Sequence, residues 1–257
     1  MLQSLKVSEA GMLGQQEKLE ILANNLANLN TPGFKRILST LEAVPAEGTQ
    51  PRLPRIDVPG EIAPNPIPPG SLLRVGSSLD LRSGPIEATG NPLDLAIEGE
   101  GFFVIQTAAG ERYTRNGSFT LDPAGRLVTR QGELVVSDSG PIEVPEGAAL
   151  AVAGDGAVTA NGQPIGQLRV VVPASAGDFA ADGTSLYRTA PGRSAPEALP
   201  AERLRIQPGF LEGSNANPIS ELVAMITAQR IFEAGQRVLS AADETLRRAV
   251  NEIPKIG

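Results

Sequence analysis

Apolar side chains recur every seven residues at both ends of this chain. The N-terminal rows consist of Leu5, Met12, Leu19, Leu22, Leu26 and Leu29. The C-terminal row consists of Met225, Phe232, Leu239 and Leu246. Residues seven apart lie on nearly one face of an α-helix, so the spacing predicts an amphipathic helix at each end. These helices constrain the fold strongly, because each apolar face needs a partner.

Local signals mark where the two helices end. Proline disfavours helical geometry in the residue before it, so Thr31-Pro32-Gly33 predicts the end of an N-terminal helix spanning about residues 2–29. Asn217-Pro218 predicts the start of the C-terminal helix, with Asn217 as its N-cap. Small residues such as Gly235 lie three residues after members of the bulky C-terminal row. Because they have little or no side chain, they allow a second helix to approach closely. We expect the helices to pair as a coiled coil, between subunits or as a hairpin within one chain.

Between the helices, apolar and polar residues alternate with a period of two. Short runs such as FFVIQT and RLVTR are separated by turn residues, and the chain contains 28 glycines and 22 prolines. This pattern is typical of antiparallel β-structure. Asn116-Gly117 predicts a tight hairpin, and residues 122–125 a longer turn. Over residues 45–69 the alternation is lost, and the prolines predict an extended segment.

The sequence therefore predicts an α+β fold with a central, mainly antiparallel β domain. With 41% hydrophobic residues, the chain can form at least one core. Its predicted parts are an N-terminal helix and exit turn (1–36), a proline-rich extended connection (37–80), the β domain (81–210) and the C-terminal helix (211–257).

Composition argues against several kinds of chemistry. The chain has no cysteine and no histidine, which removes disulfides, thiol nucleophiles, imidazole bases and the usual zinc ligands. We therefore expect no metal and no cofactor. A net charge of −7 argues against nucleic-acid binding. The N-terminus lacks a secretion-signal pattern, and no apolar run reaches the roughly 18 residues that cross a bilayer, so we expect no direct membrane insertion.

One pair of carboxylates could imitate a catalytic site. Glu98 and Glu100 lie two apart in a strand-like run and so share a face, as paired acids of a hydrolase would. Solvated charge at a strand end is the favoured explanation of the pair. We predict no catalytic residue and no small-molecule substrate. A secreted β-domain hydrolase or binding protein stays an alternative, as does a coiled-coil adaptor.

Four stretches resemble three signatures of one known family. SEAGMLGQQEKLEILANNLANLNTPGFKR closely resembles the N-terminal signature of the flagellar rod and hook proteins, with its Asn-Asn-Leu-Ala-Asn core and Thr-Pro-Gly-Phe-Lys exit. NPLDLAIEGEGFFVIQ and YTRNGSFTLDPAGRLVT resemble the family's β-domain signature. GFLEGSNANPISELVAMITAQRIFEAGQRVLSAADETL resembles its C-terminal helix. Together these stretches lie at both ends and in the centre of the chain.

This resemblance implies a structural axial subunit of the flagellar basal body, without catalysis. Terminal helices of neighbouring family members pack as a tube that transmits torque and forms the export-channel wall. The implied partners are copies of the chain and other rod and hook-side axial proteins. The resemblance also implies a place in the periplasm-spanning rod and export by the flagellar type III apparatus without a cleaved signal. The sequence resembles the proximal-rod member of the family more than the distal-rod member, which is the alternative.

Asparagines are concentrated where the N-terminal helix is predicted to end. Four of them lie within residues 24–30, although asparagine is a poor helix former. The leucines keep the helical seam, so Asn25 and Asn28 occupy other faces. Solvated residues at a fraying end would be the simpler explanation for an isolated domain. Because amides can fix the register of a helix contact, we predict that Asn25 and Asn28 contact neighbouring subunits.

Overall fold

The structure is a computed structural model that describes the backbone of residues 2–44 and 72–251. Side-chain surroundings are described for residues 11–40 and 76–238, and for residues 240, 241, 244 and 245. The predicted extended segment 45–69 lies outside the described residues. The chain divides into two compact units, one comprising residues 1–23, 39–76 and 222–257, and the other residues 24–38 and 77–221.

Two helices form at the positions that the sequence predicts. Helix α1 spans Leu2–Ala27 and helix α2 spans Pro218–Asn251. The Asn217 side-chain oxygen accepts hydrogen bonds from the N–H groups of Ile219 (3.0 Å) and Ser220 (3.1 Å), which confirms the predicted N-cap. Coiled-coil pairing of the helices stays a prediction.

The first unit contains most of both helices and part of a two-stranded sheet. Strands β1 (Ile37–Val44) and β2 (Leu72–Leu79) pair with each other. Both strands fall in the part of the chain that we predicted as an extended connection, residues 37–80. Prolines within this part are confined to residues 45–69, and the flanking residues carry the β-branched and leucine side chains that favour strands.

The second unit contains the β domain. Its strands are β3 (Ile86–Ala88), β4 (Leu95–Ile97), β5 (Phe102–Thr107), β6 (Gly110–Thr114), β7 (Phe119–Leu121), β8 (Leu127–Thr129), β9 (Leu134–Ser137), β10 (Gly140–Pro141), β11 (Leu150–Val152), β12 (Ala157–Ala160), β13 (Gln163–Gln167), β14 (Val170–Val172), β15 (Phe179–Ala181), β16 (Leu186–Thr189), β17 (Glu197–Ala198), β18 (Ile206–Pro208) and β19 (Phe210–Glu212).

The largest sheet of this unit has ten strands. Its main order is β15-β16-β6-β5-β9-β8-β7; in addition β14 pairs with β5, β17 pairs with β14, and β10 pairs with β9. Smaller sheets are formed by β11-β12-β13, by β18-β4 and by β19-β3. The pairings described within this unit are antiparallel. The predicted α+β class with mainly antiparallel sheets is thus confirmed.

Strand β5 lies at the centre of this sheet and is buried on both faces. Phe103 and Ile105 belong to one hydrophobic core, whereas Phe102 and Val104 belong to a second. Successive side chains of a strand point to opposite faces, so this single strand contributes to both cores. The run FFVI is therefore continuously apolar rather than alternating.

The predicted hairpin at Asn116-Gly117 is wrong. Strand β6 pairs with β5 and β16, and β7 pairs with β8, so the residues between β6 and β7 connect strands that do not pair. Gly117 has another reason to be glycine, since a Cβ there would lie 1.8 Å from the Leu95 carbonyl oxygen. The predicted turn at residues 122–125 is confirmed, because it joins the paired strands β7 and β8.

Candidate functional site: a buried junction of the terminal segments

The exit turn after α1 is fixed against the β domain by a glycine. Gly33 has a φ of +69°, and its N–H donates to the Glu212 carbonyl oxygen at 2.7 Å. A Cβ on Gly33 would lie 2.2 Å from the backbone nitrogen of Asn116. Only glycine meets both demands, because it tolerates the left-handed region and has no side chain to collide. The exit turn therefore packs backbone to backbone on the β domain.

Three charged side chains form the first layer of the junction. The side chains of Lys35, Arg115 and Glu212 are 2%, 1% and 1% exposed. Lys35 Nζ donates to Glu212 Oε1 at 2.8 Å, and Arg115 Nε donates to the other carboxylate oxygen. Glu212 Oε1 also accepts the N–H of Gly84 at 2.8 Å. One carboxylate thus joins the exit turn, the loop before β3 and the end of β6.

The layer holds two cations but only one carboxylate, and backbone carbonyl oxygens accept the remaining hydrogen bonds of the cations. The Arg115 guanidinium donates to the carbonyls of Ile97, Gly99 and Gly101, and Lys35 Nζ donates to the Arg82 carbonyl at 2.8 Å. Buried charges are tolerated when such partners replace water. Through these hydrogen bonds the two side chains hold the backbone segments around them in place.

Burial alters the acidity of two groups around this layer. Burial lowers the pKa of Lys35 below its ordinary value, and the Arg115 charge adds to the lowering, while Glu212 opposes it. The Lys35 N–H donates to the Tyr187 hydroxyl oxygen at 2.9 Å. Burial raises the pKa of Tyr187, so this hydroxyl stays neutral and serves as a fixed acceptor.

A second layer joins the last turn of α1 to the first turn of α2. Asn25 exchanges two hydrogen bonds with the backbone of Ile37, each 2.9 Å long, and its Nδ2 also donates to Glu221 Oε2 at 3.1 Å. Arg36 Nε lies 2.5 Å from Glu221 Oε1, as an ion pair rather than an aligned hydrogen bond. Asn25 and Glu221 are both 0% exposed.

One further amide connects the two layers. Asn215 Oδ1 accepts the N–H of Arg36 at 2.7 Å, and Asn215 Nδ2 donates to the carbonyls of Asp80 (2.9 Å) and Arg82 (2.7 Å). Asn215 lies in the chain between the two buried acids, and Arg36 follows Lys35 directly. We use the name junction for Asn25, Lys35, Arg36, Arg115, Glu212, Asn215 and Glu221 together.

The two predicted asparagine contacts already have partners within the chain. Asn28 is buried, its Nδ2 donates to the Asn24 carbonyl at 2.9 Å, and its Oδ1 accepts from the Thr31 hydroxyl at 3.0 Å. These bonds shape the end of α1, and those of Asn25 hold the second layer. Their part in contacts between subunits stays a prediction.

The predicted apolar rows have several degrees of burial. Leu22 is buried, and the described partly buried members are Met12, Leu19, Leu26, Leu29, Met225 and Phe232. The side chains of Leu5, Leu239 and Leu246 lie outside the described residues. The structure brings Met12 of α1 next to Gly235 of α2, where an added Cβ would lie 3.5 Å from Met12 Cγ.

Sequence reasoning missed an exposed apolar patch on α2, which we call the outer row. It consists of Ile219, Leu222, Val223 and Ile226, with exposed fractions of 73%, 45%, 59% and 50%. The spacing i, i+3, i+4, i+7 places them on one face of α2. That spacing was visible in the sequence, but the seven-residue row beginning at Met225 marks a different face.

The two carboxylates that could imitate a catalytic pair lie at the surface. Glu98 and Glu100 are exposed, and Glu98 accepts a hydrogen bond from Gln207 at 3.1 Å. Within the described residues, no group of three or more acidic side chains could hold a metal ion. Neither helix, over its described length, is long and apolar enough to span a membrane.

Comparison with known protein families finds matches to three segments of the chain. A model described as "Flagella basal body rod protein" matches residues 5–35, "Flagellar hook protein FlgE/F/G D1 domain" matches residues 96–160, and "Flagellar basal body rod FlgEFG protein C-terminal" matches residues 207–252. The first and third matches meet at the junction, which contains residues of both. The three regions define an axial protein of the bacterial flagellum.

Full-length relatives narrow the class. The rod protein FlgF of Escherichia coli is 35% identical over 89% of both chains, and FlgF of Caulobacter vibrioides is 34% identical over 98% of both. FlgG of Caulobacter vibrioides is 33% identical over 96% of this chain and 97% of the relative. The chain belongs to the family of flagellar basal-body rod proteins that includes FlgF and FlgG. It is therefore a structural subunit of the flagellar basal body and not an enzyme.

Proposed function

We propose that this chain builds the proximal part of the rod by packing its terminal helices against those of neighbouring subunits. The neighbours would be copies of the chain and other rod and hook-side axial proteins. In such an assembly the helices carry torque along the axis and form the wall of the export channel. The observation that supports this proposal most is the exposed outer row of α2.

The energetics of the outer row favour association. Fully burying one aliphatic side chain of this size contributes roughly 1.5 to 3 kcal/mol, and each of the four is about half or more exposed. A contiguous apolar strip on one helix face typically marks a contact with another protein. A neighbouring helix could cover all four side chains at once.

The predicted rows belong to the same proposed interface. Their members are Leu5, Met12, Leu19, Leu22, Leu26, Leu29, Met225, Phe232, Leu239 and Leu246. Within it, Asn25 and Asn28 would set the direction in which α1 leaves the exit turn, and so influence contacts with neighbours. The outer row adds a second face to α2, so this helix could contact two neighbours.

Two aspects of the proposal rest on resemblance alone. The proximal position is favoured by the stretches from Gly140 to Val158 and from Leu211 to Pro218, whereas a distal position is the alternative because identities to FlgF and FlgG are similar. Export through the flagellar type III apparatus is the second of these aspects, and family membership supports it.

Motility of complemented cells tests the proposed interface. In a strain lacking this gene, the double variant Val223→Gln with Ile226→Gln should restore swimming and complete basal bodies poorly. The control variant Gln229→Ala with Gln236→Ala alters exposed polar residues of the same helix and should restore both fully. Full complementation by the outer-row variant, at equal protein levels, would contradict the proposal.

A further inference from the structure

We propose that the junction is a single lock, so that the exit turn and the first turn of α2 are released together while the β domain stays folded. The inference concerns the isolated subunit and does not depend on the proposed assembly. It assigns a shared structural role to charged residues that lie far apart in the sequence.

Adjacent residues link the two layers from the N-terminal side. Lys35 binds Glu212 in the first layer, and Arg36 pairs with Glu221 in the second. Because the two cations are neighbours in the chain, a movement of the exit segment that breaks one contact also breaks the other. Glu212 and Glu221 would then be buried acids without their cations, which is costly.

The C-terminal side has its own link. Residues 212–221 carry both acids, and between them Asn215 binds the Arg36 N–H, while its own N–H donates to the Phe34 carbonyl at 3.4 Å. If the start of α2 moves, the exit segment loses these partners as well. Each layer is thus stable only while the other is closed.

One further acid, Asp80, lies near enough to Lys35 and Arg36 to act on them electrostatically, but its carboxylate already has a partner. Asp80 is bound by Arg82, whose Nε donates to Asp80 Oδ1 at 2.9 Å. The Arg115 guanidinium is held by Glu212 and three backbone carbonyls. Among the described residues around the junction, the two acids of the C-terminal segment are therefore the specific anchors of Lys35 and Arg36.

Amide hydrogen exchange on the full-length monomer tests the lock. The reporters are the N–H groups of Gly33, Ile37 and Glu221, which donate to Glu212, Asn25 and Asn217, and the reference is Val104 in strand β5. In Glu212→Gln, all three reporters should exchange faster by a common factor of about ten or more, with Val104 unchanged. The control Glu111→Gln removes an acid from a partly exposed ion pair with Arg169 and should change none of them.

A variant of the other layer makes the test reciprocal. Asn25→Ala should accelerate Gly33 as well as Ile37 and Glu221, although Asn25 does not touch Gly33 through any described hydrogen bond. Should Glu212→Gln fail to fold, Asn25→Ala decides alone. Acceleration confined to the layer that carries the substitution would overturn the proposal, because the layers would then open independently. Equal acceleration of Val104 would also overturn it, since the junction would then open only with the whole domain.

Discussion

Asn25 Nδ2 donates to Glu221 Oε2 at 3.1 Å, across 196 residues of sequence, and neither residue is exposed to solvent. The bond joins the last turn of α1 to the first turn of α2. The Asn-rich end of the N-terminal signature is thus a structural element of the subunit itself, with a buried acid from the C-terminal signature as its partner.

Asn25→Ala should lower the free energy of unfolding by about 1 to 3 kcal/mol, because Glu221 and the backbone of Ile37 lose buried hydrogen-bond partners. Urea denaturation followed by circular dichroism measures the change. The neighbouring variant Asn24→Ala removes an exposed side chain and should stay within about 0.5 kcal/mol of the unmodified protein. Equal effects of the two substitutions would argue against a structural role for the Asn25 amide.

Gly33→Ala should destabilise the fold more than Gly132→Ala does. Both glycines have a positive φ, which costs alanine about 1 to 2 kcal/mol, but a Cβ on Gly132 meets no atom within 4 Å. At Gly33 the Cβ would collide with Asn116, which should add about 1 to 3 kcal/mol of overpacking. Thermal unfolding of both variants measures the difference, and similar midpoints would show that the exit turn moves aside freely.

Gly235→Ala should stabilise the protein by up to about 1 kcal/mol, as alanine favours the helix. The new methyl group would lie 3.5 Å from Met12 Cγ, an ordinary van der Waals distance. Gly11→Ala provides the comparison, since no atom lies within 4 Å of its Cβ position in α1. If Gly11→Ala stabilises while Gly235→Ala destabilises, α1 and α2 approach more closely than the structure shows.

The Asp80 carboxyl should titrate below its ordinary pKa of 3.8, chiefly because Arg82 donates hydrogen bonds to the carboxylate. A pKa that is lower in the folded than in the unfolded protein contributes stability above pH 3.8, and this contribution is lost as the pH falls through the folded value. Carbon-detected NMR titration should show the midpoint rising toward 3.8 in Arg82→Gln. An unchanged midpoint would show that a group other than Arg82 lowers the Asp80 pKa.

The helix bounds and the β-structure of the central domain were predictable because their signals are local, whereas strands β1 and β2 were predicted as an extended connection. The seven-residue rows, the proline at position 32 and the Asn217 cap lie within the elements that they define. The hairpin expected at Asn116-Gly117 failed for a non-local reason: Gly117 is needed because the Leu95 backbone approaches it. A glycine required by packing and one required by a turn are identical in sequence.

The junction could not be predicted from the sequence alone. Lys35 and Glu212 are 177 residues apart, and each looks like an ordinary surface charge among its neighbours. Burial of such charges is decided only when distant segments meet. The outer row of α2, by contrast, was present as a readable helical spacing from Ile219 to Ile226.

A density map of basal bodies assembled with this chain tests the proposed assembly most directly. At a resolution that shows side chains, Ile219, Leu222, Val223 and Ile226 should be covered by a helix of a neighbouring axial subunit, with the junction closed inside each copy. An outer row that faces solvent in every copy of the assembled rod would contradict this account.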